Sequence, residues 1–377
     1  MSESSKQSPL HQCHVDAGAK FAEFGGWSMP LQYAGGGIVA EHHAVRKGVG
    51  IFDVSHLGKA TVRGAGAVEF LNTQLSNDLN KIDAGQAQYT LLCTPEGGVV
   101  DDLIAYRFAD DDVFLIPNAA NTAAVVEVLT GAAPAGVEVC NKHDAFAVLA
   151  VQGPKSDELL ERLGLPTGHD YMSFDVAELP ALRAAAELDG IRLTVCRTGY
   201  TGERGYELVV PSEQAVVVWE QLMQAGEDLG VRPCGLGARD TLRTEMGYPL
   251  HGQDISPDIS PVQARIGWAI GWKKPEFRGH EALRAEKEAG PRRRLWGIRA
   301  IGRAIPRPHM AVLGADEAEV GEVTSGTHSP TLGTGIGLAL IDARLSEGDH
   351  VSVQVRNRTE EFEIVKPPFV TPGVRGE

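Results

Sequence analysis

Two adjacent carboxylates, Asp101 and Asp102, stand in the run "EGGVVDDLIAYRF" just past a Pro-Glu-Gly-Gly turn. Apolar residues flank the turn on both sides, which predicts a β-hairpin with the aspartates on its returning strand. Neighbouring side chains on a strand point to opposite faces. Asp102 therefore shares a face with Val100, Ile104 and Tyr106, and Asp101 is expected outward, as a structural partner. A carboxylate on a half-buried strand needs hydrogen bonds, a counter-charge or a catalytic task, because desolvating it alone is costly. A solvated or ion-paired surface pair is the competing explanation.

Three further clusters carry chemistry. In "RTGYTGERGYE", Tyr200, Glu203, Tyr206 and Glu207 surround a Gly-rich turn. A carboxylate on a rigid strand can accept two parallel N–H bonds from an amidine-like ring edge, and a tyrosine can cover a flat heterocycle. A braced hairpin would use the same residues. In "GLGARDTLRTEMGYPLHGQD", Arg239 and Arg243 are four apart on a predicted helix and share a face. Arg239 lies near the helix start, where an anion is favoured; surface pairing with Asp240 and Glu245 is the alternative. In "PRRRLWGIRAIGRAIPRPH", six arginines, including Arg303, fall within sixteen residues. Such a basic face suits an acidic partner, or is simply a solvated strand edge. No HExxH, Cys/His cluster, GxSxG elbow, GxGxxG or GK[ST] accompanies them, so metal, serine-hydrolase and phosphoryl-transfer chemistry lack their parts.

These clusters need a scaffold, and the chain is long enough to supply one. Its 377 residues allow two or three domains with their own cores. A formal charge of -15 argues against a nucleic-acid coat or an anionic-membrane binder. No apolar run approaches the ~20 residues that span a bilayer. The N-terminus "MSESSKQSPLHQCHVDAG" lacks a signal-peptide or transit-peptide pattern. The five cysteines are scattered without a CxxC, as expected of reduced thiols in a cytoplasm.

Strands and helices alternate up to about residue 276. "VEFLNTQLSNDLNKI", "TAAVVEVLTGAA" and "SEQAVVVWEQLMQAG" are predicted helices, the last with a Ser or neighbouring polar cap and a Gly stop. "AVLAVQGPKSDELLERLGL" is a buried strand followed by an amphipathic helix, and "RLTVCRTGYTGERGYELVV" is strand, turn, strand. After "FRGHEALRAEKEAGPRRR" helical patterns nearly vanish, and short strands with Gly, Asp and Pro punctuation predict a small all-β, barrel-like domain.

Taken in order, "HVDAGAKFAEFGGWSMPLQY", "VRKGVGIFDVSHLGKATVRG", "EGGVVDDLIAYRF", "LAVQGPKS", "RTGYTGERGYEL", "GLGARDTLRTEMGYPLHGQDI", "FRGHEAL", "GEVTSGTHSPTLGTGIGLALI" and "KPPFV" resemble the T-proteins, the aminomethyltransferases of the glycine cleavage system. The resemblance runs nearly end to end. It implies an α+β fold: a three-domain cloverleaf around a central folate channel, with two α/β-sandwich-like domains and a C-terminal all-β, barrel-like domain. The expected divisions are 1–58 with 147–275 for a discontinuous folate-binding domain, 59–146 for an inserted domain carrying the Asp-Asp strand, and 276–377 for the barrel.

The implied reaction moves the methylene of an aminomethyl group from the dihydrolipoyl arm of H-protein to tetrahydrofolate, giving 5,10-methylenetetrahydrofolate and ammonia. By the same resemblance, Asp102 is the catalytic carboxylate beside the reactive folate nitrogens. Leu57 (where the family commonly has Met), Tyr89, Phe114, Ile116, Asn118, Tyr200, Glu207, Arg239, Tyr248 and Trp268 contact folate. Glu207 reads the pterin, Arg303 is a candidate for docking H-protein, and no metal is implied. The segment "PPFVTPGVRGE" departs from relatives that carry Arg or Tyr after the C-terminal "PF", leaving Arg375 as a candidate there. A folate-dependent demethylase acting on a small sulfonium or N-methyl donor would share the Asp and Glu motifs. A non-catalytic folate scaffold would carry a cysteine motif where this chain reads "KKPEFRGHE".

Overall fold

The computed structural model describes residues 5–180, 190–355 and 358–374; Arg375 lies outside the described residues. Two antiparallel-rich sheets face each other across the first part of the chain. The first has six strands in the order Phe174–Leu179, Ile191–Cys196, Gly205–Pro211, Phe146–Gln152, Gly50–Asp53 and Arg232–Cys234. The second has five, in the order Gln86–Cys93, Val99–Ala109, Asp112–Ile116, Ala60–Arg63 and Glu138–Asn141. A three-stranded sheet of Lys6–Gln7, Trp27–Gln32 and Lys20–Phe24 flanks them. Residues from Arg293 to Val365 form a closed six-stranded barrel, as the strand-rich last hundred residues predict.

Alternation sorts the side chains into separate cores. Leu103 and Ala105 of the Asp-Asp strand pack with Val68, Leu71, Val125 and Leu129, beneath the helices Ala67–Gln74 and Thr122–Ala132. Tyr106 points the other way and joins Phe52, Phe114, Val148, Phe174 and Val209 in a core shared by both sheets. The helix Ala215–Ala225 buries Ala215, Val218, Trp219 and Leu222, an i, i+3, i+4, i+7 stripe, and stops at Gly226. No side chain caps its start: Ser212 belongs to a preceding 3-10 turn and donates to the Asp144 carbonyl instead.

One predicted helix is cut short. The run from Val68 to Ile82 is helical only to Gln74. Leu75 turns extended and bridges Leu92, and Ser76, Asn77 and Asp78 spend their polar groups on neighbouring backbone. Such side chains offer the backbone an alternative to the helix ladder, leaving a single 3-10 turn at Leu79–Lys81.

The helix Leu236–Met246 joins the sheets to the barrel through charge. Buried Arg243 holds Asp240 at 2.7 Å, Asp254 at 2.9 Å and Ser325 of the barrel. Buried Glu245 accepts from Arg46 at 2.7 Å, from the Thr331 amide and hydroxyl, and from Ser329. Arg46 also reaches Glu203 at 2.9 Å. Glycine is required where this framework closes: Gly202 has φ +78°, and a Cβ there would fall 2.0 Å from the Met246 sulfur.

Burial alone would raise the Glu245 carboxyl, but hydrogen bonds from His42 and Ser329 and the Arg46 charge hold it down, at about 2 against an ordinary 4.5. Its contribution is therefore complete above about pH 4.5 and lost as pH falls toward 2. Glu245→Gln should cost about 3–5 kcal/mol near neutral pH, since it leaves Arg46 with one carboxylate fewer. Urea unfolding of both proteins should show that gap narrowing below about pH 4.5; a gap unchanged at pH 3 would refute the assignment.

Candidate active site

Between the two large sheets lies a cavity of about 190 Å³. Leu57, Tyr89, Asp102, Ile116, Asn118, Tyr200, Glu207, Arg239, Tyr248 and Trp268 all line it, although they span more than half the sequence. Phe114 does not. It pairs in register with Tyr106 and stands behind that ring, at 6.4 Å between centroids, packed against Phe146. Arg303 is exposed on the barrel and is not part of the lining. Among its neighbours Arg299 is taken up by Glu363 at 2.6 Å, and Arg307 donates to the Gly326 carbonyl.

Asp102 faces the cavity with Ile104 and Tyr106, as the alternation demands. Its carboxylate accepts from the Tyr89 hydroxyl at 3.0 Å and from the Asn118 amide at 2.8 Å. Tyr89 reaches it from the partner strand, where Leu91 pairs with Asp102 and Tyr89 with Ile104. No cation contacts Asp102 among the described residues. Burial raises its carboxyl above the usual range, against the pull of His251, Tyr89 and Asn118. Outward Asp101 is not in solvent: it is fully buried, because helices cover the second face of the sheet. It accepts from the Asn118 amide N–H at 2.9 Å, the Asn118 side chain at 2.8 Å and the Asn121 side chain at 2.7 Å.

A second carboxylate, Glu207, comes from the Gly205–Pro211 strand and accepts the Thr198 hydroxyl. Thr198 is also within 3.2 Å of the Tyr106 hydroxyl, so the two sheets meet through it. Burial raises the Glu207 carboxyl, with Thr198 and the Arg239 charge opposing. Arg239 makes no ion pair among the described residues; its guanidinium lies over the Tyr200 ring at 4.4 Å. Tyr200 donates to the Pro249 carbonyl and stands 5.6 Å from Tyr248. Trp268, 69% exposed, lies 5.3 Å from Tyr89 between ring centroids. Glu203 and Tyr206 of the same motif point away, to Arg46 and Asp157.

Several lining residues carried no functional sign in the sequence. Tyr171 and Met172 enter from a turn in which Met172 has φ 64°. Thr198 and His251 lie inside quoted motifs, and their hydrogen-bonding types were the available signal. Lys59 is fully buried beneath the Leu57 loop and donates to the Ser55 and Leu57 carbonyls at 2.8 Å each. Burial lowers its amine to about 7.

A concave cavity with aromatic walls and a few convergent charges is the architecture of a small-molecule enzyme site. Comparison with known proteins makes it particular. The GCVT N-terminal domain model matches residues 10–274, and the glycine cleavage T-protein C-terminal barrel domain model matches residues 293–371. An aminomethyltransferase of Parafrankia sp. (strain EAN1pec) is 61% identical over 98% of this chain and 99% of its own length. One from Mycobacterium avium (strain 104) is 59% identical over 97% of each. The crystal structure of glycine cleavage system aminomethyltransferase T from Bartonella henselae is similar with a TM-score of 0.90 at 32% identity, covering 98% of this chain and 99% of that one.

The chain belongs to the glycine cleavage T-protein family, the tetrahydrofolate-dependent aminomethyltransferases. Membership implies the glycine cleavage system, with H-protein and folate. No helix among the described residues is long and apolar enough to cross a membrane.

Proposed function

We propose that tetrahydrofolate sits in this cavity with its pterin edge on Glu207 and its reacting nitrogens beside Asp102. The one-carbon unit would arrive there on the aminomethylated dihydrolipoyl arm of H-protein. The observation that carries this reading is Asp102: a carboxylate in the cavity wall, fixed by Tyr89 and Asn118 and contacted by no cation among the described residues. In aminomethyl transfer a folate nitrogen bonds to the methylene carbon while the carbon–amine bond breaks. The second folate nitrogen then bonds to the same carbon as the lipoyl sulfur leaves. The two folate N–H protons depart with ammonia and thiol. Positive charge develops on carbon and nitrogen along this path, and a preoriented carboxylate in a site of low dielectric stabilises it. The nucleophile belongs to the co-substrate, so the protein's task is orientation and charge.

Glu207 can accept two N–H bonds from a pterin edge, and the Tyr200, Tyr248 and Tyr89 rings offer flat faces to a heterocycle. Arg239, stacked on Tyr200, leaves N–H groups free for the ring or a carboxylate. The demethylase alternative is not favoured, since relatives matching 97–99% of their own length are aminomethyltransferases. We assign the chain to the cytoplasm, in keeping with its five free cysteines. The division 1–58 with 147–275, 59–146 and 276–377 is supported by the sheets. Strands of the six-stranded sheet come from 50–53 and 146–234, and those of the five-stranded sheet only from 60–141.

Asp102→Asn keeps the shape and removes the charge. Its turnover should fall on the order of 100-fold with folate still bound; near-normal ammonia release from aminomethylated H-protein would sink the assignment. Glu207→Ala should weaken tetrahydrofolate binding more than it slows bound-state chemistry. A titration showing unchanged affinity would remove Glu207 from the pterin pocket. If Arg303 and its neighbours receive acidic H-protein, Arg303→Ala should flatten the salt dependence of turnover with H-protein and leave that with a small free donor unchanged. Equal salt slopes before and after substitution would count against that surface.

A further inference from the structure

Asp101 has no place in the reaction as described, yet it is fully buried and close to the cavity wall. Its surroundings are unusual for a carboxylate. Three N–H donors converge on it, and no cation does among the described residues. The Asn118 side-chain amide that reaches Asp101 at 2.8 Å also lies 2.8 Å from the Asp102 carboxylate and 3.0 Å from the Asp102 carbonyl. The Asn121 amide that reaches Asp101 at 2.7 Å points its other hydrogen at His251 Nδ1, at 3.0 Å. His251 Nε2 in turn donates to the Val99 carbonyl at 3.0 Å, back on the strand that carries both aspartates. With the proton on Nε2, Nδ1 is free to accept, and every donor in this loop finds an acceptor.

The loop has consequences for the lining. Asn118, Asp102 and His251 all face the cavity, and all three are tied to Asp101, directly or through one asparagine. One carboxyl oxygen of Asp101 accepts both asparagine side-chain amides and the other accepts the Asn118 backbone N–H. An amide at position 101 would put an NH2 in place of one oxygen and leave an asparagine donor unpaired.

We infer that Asp101 is a positioning residue for the transfer reaction: its carboxyl group orients Asn118 and Asn121, which fix Asp102 and His251 in the cavity wall. The inference rests on the folate-transferase reading of the same cavity. It extends that reading to a residue that never touches substrate. It also explains the adjacent pair: strand alternation gives one aspartate to the cavity and the other to the scaffold that aims it.

The test is Asp101→Asn, run beside Asp102→Asn and the unaltered protein with aminomethylated H-protein and tetrahydrofolate. The expected result is a folded protein whose kcat falls about 10- to 100-fold while its KM for tetrahydrofolate moves less than about twofold. The Asn118 amide holds the Asp102 carboxyl down against burial, so releasing Asn118 from Asp101 should raise the Asp102 pKa. The acidic limb of the kcat–pH profile should therefore move to higher pH. A structural role alone would change thermal stability and leave that limb in place. If Asp101→Asn fails to fold, Asn121→Ala carries the test, since it removes one donor to Asp101 and the link to His251. It should lower kcat several-fold with KM little changed. An unchanged kcat and pH profile in a folded Asp101→Asn protein, or an unchanged kcat in Asn121→Ala where Asp101→Asn cannot fold, would overturn the inference. Loss of activity in Asp102→Asn alone would leave the folate reading standing, whereas full activity in Asp102→Asn would strike that reading itself.

Discussion

Burial of charge on a single helix is the constraint on which the rest of the molecule depends. Leu236–Met246 buries Arg243 and Glu245 almost completely, and neither charge is tolerable without partners. The partners come from elsewhere: Arg46 from the Gly37–Lys47 helix, Asp254 from the segment that follows, and Ser325, Ser329 and Thr331 from the barrel. Satisfying the helix therefore docks the barrel and fixes the helix's rotation about its axis. That rotation presents Arg239, earlier on the same helix, to the cavity. No described residue of the barrel lines the cavity. Its influence on the site passes through this helix.

The cavity follows the opposite rule. Its charges have been left short of partners. Asp102 and Glu207 are hydrogen-bonded by neutral groups, and Arg239 rests on an aromatic face. Keeping such groups desolvated works against stability, which is the usual condition of sites that must interact strongly with a ligand. The framework compensates with fully paired charges one layer away. Lys59 follows the same logic under the Leu57 loop, where a buried amine held by two carbonyls gives the loop a fixed shape.

Much of this was legible in the residues. Period-2 alternation placed Asp102, Ile104 and Tyr106 on one face of a strand, and the hairpin turn fixed where that strand begins. The shift to short strands and turn residues located the barrel. Ten of the eleven residues that the family resemblance names around folate come together around one cavity. The failures share a cause. Phe114 has the right parity for the cavity, but Tyr106 on the neighbouring strand occupies the space in front of it. Asp101 has outward parity, but helices distant in sequence cover that face. The helix predicted from Val68 to Ile82 ends early because Ser76 and Asn77 find backbone partners in other segments and Asp78 caps the turn that follows.

The sequence by itself determined what depends on neighbours along the chain: strand parity, turn positions, helical stripes, the residue types of the site and, through motif order, the family. Tertiary structure alone decided which faces are covered and which charges are paired. It turned Asp101 from a surface residue into the acceptor at the centre of a buried network, and sent Glu203 and Glu245 to Arg46 while leaving Glu207 open to the cavity. The physical reason is that desolvation and pairing are properties of packed elements. A carboxylate's environment is set by whatever folds over it, and those residues can lie hundreds of positions away.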